Sequence, residues 1–183
     1  MRLQMIMSLF RRGPKNVNMR IVDAIYARIV AAARQPVFYR DWGIPDTPLG
    51  RYECIALHMI LFLHRTRASS QPAEALAQDV LDEFFKDVDH SIRELGVGDQ
   101  SVPKRMKGLA RMFYGRMGPY WSALDEGDGA ALADAVSRNI APDSPAALKS
   151  SEIADYMIRS AATLAGVSDE VLLAGAILFP EVV

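Results

Sequence analysis

The sequence predicts an all-α protein, a single-domain bundle of six or seven helices around a buried central helix. Apolar residues recur every three or four positions along almost the whole chain, which is the period of an amphipathic helix. No segment alternates apolar and polar residues in the way that is typical of a half-buried strand. Stretches rich in proline and glycine separate the helical segments, and 183 residues are enough for one domain with a sizeable core.

The first helix is predicted over residues 18–34, where the apolar positions form one clean stripe: Ile21, Val22, Ile25, Tyr26, Ile29 and Val30. Residues 35–50 contain three prolines and two glycines, so they predict a break in the helical pattern. The second helix is predicted to start after Thr47 as its N-cap, with Pro48 in the first position, and to run to about Arg67. Because residues 55–63 are apolar on nearly every face, we expect this helix to be the buried centre.

The third helix is predicted over residues 72–95, with an apolar side and a strongly acidic side. Gly96 suits the position just after a helix end, and Ser101 suits the N-cap of the fourth helix. On that fourth helix the periodicity assigns one set of side chains to the core: Met106, Leu109, Ala110, Met112, Phe113 and Met117. A kink is expected at Gly118–Pro119, followed by helices near 130–140 and 146–165 and a last one beginning at Ser168.

The composition of the chain argues against several classes of protein. Half of the residues are apolar, 23% are charged and the net charge is −1, which argues against a general DNA- or RNA-binding protein. The single Cys54 excludes an internal disulfide and a cysteine-rich zinc module. No apolar run approaches the roughly 20 residues of a membrane span, and no signal peptide is visible. Residues 18–183 are predicted to be the helical domain, and residues 1–17 a flexible tail or one that rests on a membrane surface.

Residues 87–107, DVDHSIRELGVGDQSVPKRMK, change from acidic to basic across a turn that contains two glycines. A dinucleotide-binding loop would need a preceding strand and a third glycine, so a helix end and a tight corner explain the glycines better. The acidic side chains before the turn and the basic ones after it predict a surface on which a partner docks.

An enzyme remains the alternative. Asp79, Glu83 and Asp87 are spaced four apart, so they share one helical face, as in aspartate-rich helices that hold magnesium and a diphosphate. Such enzymes need two facing motifs, whereas this chain has one, within residues 79–89, so a solvated acidic face is the favoured interpretation. No catalytic set, metal site or cofactor site is predicted. A non-enzymatic binding module is favoured over a lipid- or diphosphate-metabolising enzyme.

Two long blocks, residues 33–65 and 84–116, resemble the ubiquinol–cytochrome c chaperone family. The resemblance covers about residues 20–140 and implies a role in building respiratory complex III. Its implied partner is newly made cytochrome b, with a small partner subunit and the ribosome as further candidates. The implied partner-binding positions in this chain are Tyr39, Asp46, Arg51, Asp87, Asp89, Arg93, Glu94, Gly96, Gly98, Asp99, Lys104, Arg105, Lys107, Tyr114 and Arg116.

Two departures from the family pattern lie near the corner, Gln100-Ser101 after the GVGD turn and Val88 on the acidic helix. Both are compatible with the same turn. The absence of a long presequence favours a bacterial protein of the cytoplasm, with a peripheral position at the inner face of the inner membrane as an expectation of the resemblance.

Overall fold

The computed structural model describes residues 18–142 and 145–182, and these residues form an all-helical bundle, as predicted. Six of the helices found there have twelve residues or more, which agrees with the predicted six or seven. Two are only five residues long, and a 3₁₀ turn covers Pro145–Ala147. The helices are α1 Asn18–Ala33, α2 Pro36–Arg40, α3 Pro48–Thr66, α4 Gln71–Glu94, α5 Val102–Glu126, α6 Gly129–Ile140, α7 Ser150–Ala165 and α8 Asp169–Leu173. The predicted tail 1–17 lies outside the described residues.

α3 is the central helix, as its composition predicts. All side chains from Ala56 to Phe62 are buried, and the helix packs against α1, α4, α5 and α7. Its start is fixed as expected, because the Thr47 hydroxyl accepts a hydrogen bond from the Gly50 backbone N–H at 3.1 Å. Gly50 also lies against the Pro45 carbonyl, where a Cβ would come within 1.9 Å of the oxygen. Only glycine therefore lets the preceding loop pack this tightly on the helix.

α1 and α4 lie side by side in the same direction. The Tyr26 hydroxyl donates a hydrogen bond to Asp87 at 2.7 Å. Nearer the N-termini of both helices, the Asn18 side chain donates one to Asp79. α4 ends at Glu94, and Gly96 takes a left-handed φ of 77°, as its position predicts. Ser101 occupies the N-cap position of α5, but its side chain makes no capping hydrogen bond.

The structure adds detail to three expectations about individual elements. Residues 36–40 form the short α2 inside the segment predicted as a break, starting with a proline in the first turn. α5 continues through Pro119 to Glu126, so the residues on both sides of the expected kink at Gly118–Pro119 belong to one helix. Of the six side chains assigned inward on α5, only Phe113 is fully buried, whereas the others are half-buried. Part of α5 borders an open groove instead of the core, which is why its apolar stripe is incompletely covered.

No helix in the described ranges is both long and apolar enough to cross a membrane.

Candidate functional site

An open groove of about 1620 Å³ runs between the start of α3, the end of α4 and the start of α5. Its base is aromatic and aliphatic: Tyr52 and Phe84 are buried and stack with their ring centroids 5.9 Å apart. Leu109 and Met112 of α5 form the facing side and are half-buried. The Tyr52 hydroxyl donates to the Leu109 carbonyl at 2.7 Å, which ties the base of the groove to this facing side.

Two leucines on the groove are unusually exposed. Leu49, in the first turn of α3, is 51% exposed, and Leu95, at the end of α4, is 60% exposed. Large aliphatic side chains in a groove that retain this exposure offer apolar surface to a partner at little cost in stability.

The rim of the groove carries both signs of charge: Arg34, Arg40, Asp46, Arg51, Asp87, Glu94 and Arg105. Asp46 and Arg51 pair at 2.7 Å while both stay exposed, and this hydrogen bond holds the pKa of Asp46 below its usual value. Asp87 accepts a hydrogen bond from Tyr26, and burial together with that carboxylate raises the pKa of the tyrosine. The Tyr39 hydroxyl donates to the Ala33 carbonyl at 2.7 Å, and burial raises its pKa as well.

Six of the fifteen partner-binding positions inferred from the sequence meet in this groove: Tyr39, Asp46, Arg51, Asp87, Glu94 and Arg105. A second group forms the corner between α4 and α5. There Arg93 bridges Asp89 at 2.7 Å and Asp99 at 2.5 Å, so one guanidinium neutralises both carboxylates across the turn. Gly96 and Gly98 lie between them, with open space where each Cβ would be.

The basic residues after the corner divide between two flanks of α5. Lys104, Arg105 and Lys107 are all exposed, and none pairs with an acidic residue of the described chain. Arg105 faces the groove. Lys104 and Lys107 lie three residues apart on the side away from the core, and Tyr114, 45% exposed, extends that side.

Arg116 is inside the protein. It is 5% exposed and donates a hydrogen bond to Glu53 of α3 at 2.6 Å and another to the Asn139 carbonyl at 3.2 Å. Its charge therefore holds α3, α5 and the end of α6 together and does not contribute to the groove or to the corner.

The acidic face considered for metal binding is occupied by local contacts. Asp79 accepts from Asn18, Asp87 accepts from Tyr26, and Glu83 pairs with Lys86 at 2.9 Å. Residues 18–142 and 145–182 contain no group of three or more His, Cys, Asp or Glu side chains placed to hold a metal ion.

Leu49, Leu95 and Tyr26 were not singled out by the sequence as partner-binding residues. Leu95 belonged to the apolar stripe of the third helix, so periodicity predicted the core for it. Glu53 carried a signal, because it is the one acidic residue of α3, and a lone carboxylate in a buried helix requires a partner.

The class of protein defined by this fold is a single all-α bundle with an open groove of mixed charge and exposed leucines. The chain belongs to the ubiquinol-cytochrome C chaperone family, whose model matches residues 40–179. It is also similar to a protein of known crystal structure, the Cbp3 homologue from Brucella abortus. The two share 49% sequence identity with a TM-score of 0.82, covering 99% of this chain and 97% of that one. No curated protein sequence matches significantly. The family resemblance drawn from the two sequence blocks is confirmed.

Proposed function

We propose that this protein is a non-enzymatic chaperone for the assembly of respiratory complex III, and that it holds newly made cytochrome b in the groove between α3, α4 and α5. The observation that carries the proposal is the family match over residues 40–179, which includes most of the groove. The similarity to the Cbp3 homologue over nearly both chains supports the same role.

The size of the groove suits one segment of a client protein. A helix about 10 Å in diameter fills roughly 80 Å³ per ångström of length. The groove, about 1620 Å³ and open to solvent, therefore has room for a few turns of one helix and not for a folded domain. A segment of this length is part of a transmembrane helix, not the whole of it.

The lining of the groove suits a segment that is apolar and flanked by polar residues. Leu49, Leu95 and Met112 supply apolar contact, and methionine adapts easily to varied partners. Arg105, Asp87 and Glu94 supply charges of both signs at the rim, where exposed pairs contribute more to specificity than to affinity. Under this proposal the corner residues, Arg93 with its two aspartates above all, keep the two groove walls at a fixed angle.

The site of action that follows is the inner face of the bacterial inner membrane, where a cytochrome b segment leaves the translation machinery. A small partner subunit and the ribosome are further candidate partners, and the same capture experiment would detect them.

Deletion of the gene in its host tests the role. We expect the b-type haem signal in reduced-minus-oxidised spectra of membranes to fall and quinol oxidation to decline, with both restored by the wild-type gene on a plasmid. The signal of a b-type haem enzyme outside complex III serves as the internal control. Membranes with a normal complex III spectrum and normal quinol oxidation would rule out the assembly role.

A further inference from the structure

The first half of α5 is basic to a degree that nothing in the fold explains. Residues 100–124 contain no acidic residue, yet Lys104, Arg105, Lys107 and Arg111 all lie there. All four side chains are exposed, and none pairs with a carboxylate in the described part of the chain. Four exposed arginines elsewhere pair with a carboxylate, namely Arg40, Arg51, Arg67 and Arg93, whereas isolated cations such as Arg20 and Arg138 do not pair within residues 18–142 and 145–182. It is therefore the clustering of four unpaired cations within eight residues that distinguishes α5.

Three of these cations share one face. Lys104, Lys107 and Arg111 are spaced three and four apart, so they line up along the helix. The buried side of α5 is marked by Phe113 and Tyr120, which lie on the opposite face of the helix. We call the side formed by Lys104, Lys107, Arg111 and Tyr114 the outer face of α5.

The position of these charges is unfavourable for the isolated fold. The N-terminus of a helix carries a partial positive charge, so cations in its first turns are repelled. Lys104 and Lys107 lie within the first two turns of α5. An external anion bound to these side chains would relieve this repulsion.

The outer face is shallow. Gly115 and Gly118 are exposed beside the cations, and a Cβ at either position would meet open space. The long side chains of this face are therefore the three cations and Tyr114, whose ring packs against Phe113 and Phe85, with centroids 5.3 Å and 6.1 Å away. A half-exposed tyrosine beside lysines and arginines is the combination found at the boundary between water and lipid headgroups.

We propose that the outer face of α5 binds the phosphate headgroups of anionic phospholipids. A planar array of phosphates can reach all three cations of a convex helix face at once without a pocket, which favours a lipid surface over an acidic peptide. Arg105 lies on the neighbouring flank and lines the groove, so the groove would open along the membrane surface. This orientation rests on the proposed function, whereas the lipid binding itself does not.

Co-sedimentation of the purified full chain with vesicles tests the inference without any client protein. Vesicles of phosphatidylcholine with phosphatidylglycerol are compared with vesicles of phosphatidylcholine alone. We expect binding to the anionic vesicles only, and weaker binding as salt is raised. Each cation near an anionic surface contributes about a fivefold gain in affinity, so Lys104→Gln, Lys107→Gln and Arg111→Gln together should lower affinity on the order of a hundredfold.

The matched control neutralises three exposed cations on other helices, Arg20→Gln, Arg138→Gln and Arg159→Gln, and changes the net charge equally. It should bind nearly as well as the wild type, and thermal melting should show both variants folded. Equal loss in the two variants, or no binding of the wild type to anionic vesicles, would overturn the inference. Capture of an acidic peptide or of ribosomes by the outer face, with vesicle binding absent, would also overturn it. The vesicle assays contain no client protein, so none of these results tests whether the groove binds cytochrome b.

Discussion

His58 is a fully buried histidine whose protonation state is set by its two hydrogen bonds. Its Nδ1 lies 2.7 Å from the Cys54 carbonyl, which can only accept, so Nδ1 donates. Its Nε2, 2.9 Å from the Tyr156 hydroxyl, then accepts. Burial lowers the pKa of His58 to about 4. The ring is therefore neutral at physiological pH and bridges α3 and α7.

This histidine predicts a loss of stability in acid. Because the pKa is about 4 folded and 6.5 unfolded, the unfolded chain binds more protons in this window. The contribution of His58 to the free energy of unfolding is fully present above pH 6.5. It decreases by about 3 kcal/mol as the pH falls to about 4. Denaturant unfolding between pH 4 and 7 should therefore show a flatter pH dependence for His58→Gln than for the wild type.

The control is His90→Gln, since His90 is exposed and pairs only with Glu94. That variant should lose stability in acid as the wild type does, because it retains the buried imidazole of His58. Parallel curves for wild type and His58→Gln would contradict the assignment of a neutral buried imidazole.

The Glu53–Arg116 pair is a second buried polar contact on α3. The Oε1 atom of Glu53 accepts the hydrogen bond from Arg116. The Oε2 atom of Glu53 and the Nε of Arg116 are buried and have no hydrogen-bond partner in the described part of the chain. Burial raises the pKa of Glu53 to about 7, although Arg116 lowers it. Breaking the pair therefore leaves a desolvated charge, which is more costly than removing both charges.

A double-mutant cycle tests this. Glu53→Met alone should lower the free energy of unfolding by about 3 to 5 kcal/mol, because Arg116 stays buried and charged. Glu53→Met with Arg116→Met should recover much of that loss, since both methionines are apolar and of similar length. The measurement is denaturant unfolding of the wild type, both single variants and the double variant. Additive losses would show that the two side chains do not form a coupled pair.

Among the elements, the corner between α4 and α5 depends on one glycine more than on the other. Gly96 has a φ of 77°, which strains any residue with a Cβ, whereas Gly98 has no such conformation and open space around it. We expect Gly96→Ala to lower the free energy of unfolding by about 1 kcal/mol. Gly98→Ala should be neutral or slightly stabilising, because it restricts the unfolded chain. Equal effects in thermal or denaturant unfolding would contradict the geometry of the turn.

At the same scale, periodicity predicted most long helices to within a residue or two, as for α1, α3 and α4. It missed α2 because five residues with a proline at the start are too short to show a period. It also assigned Met106 and Leu109 to the core, and both pack against the core but stay half-buried. Spacing identifies the apolar side of a helix, but only packing decides whether a neighbour covers that side.

The whole molecule shows where sequence reasoning reached its limit. The groove joins residues that are far apart in the chain, such as Leu49 and Leu95, and no local pattern connects them. Arg116 was among the partner-binding positions that the resemblance implies, and the clue to its burial was the single acid on α3, Glu53. The family could be identified from the two sequence blocks, because it is carried by long stretches of residues and not by the assembled groove.

The most direct test of the groove is capture of cytochrome b from detergent-solubilised host membranes by the tagged, purified protein. Leu95→Asp places a charge in the groove, at a leucine that is 60% exposed. The control is Leu178→Asp, which places a charge outside the groove at a leucine that is 62% exposed. Both variants should remain folded, because exposed substitutions change stability little. We predict that Leu95→Asp captures at least tenfold less cytochrome b, since a carboxylate would be desolvated against the apolar segment, while Leu178→Asp captures as much as the wild type. Equal capture by the two variants would contradict the assignment of the groove as the cytochrome b site.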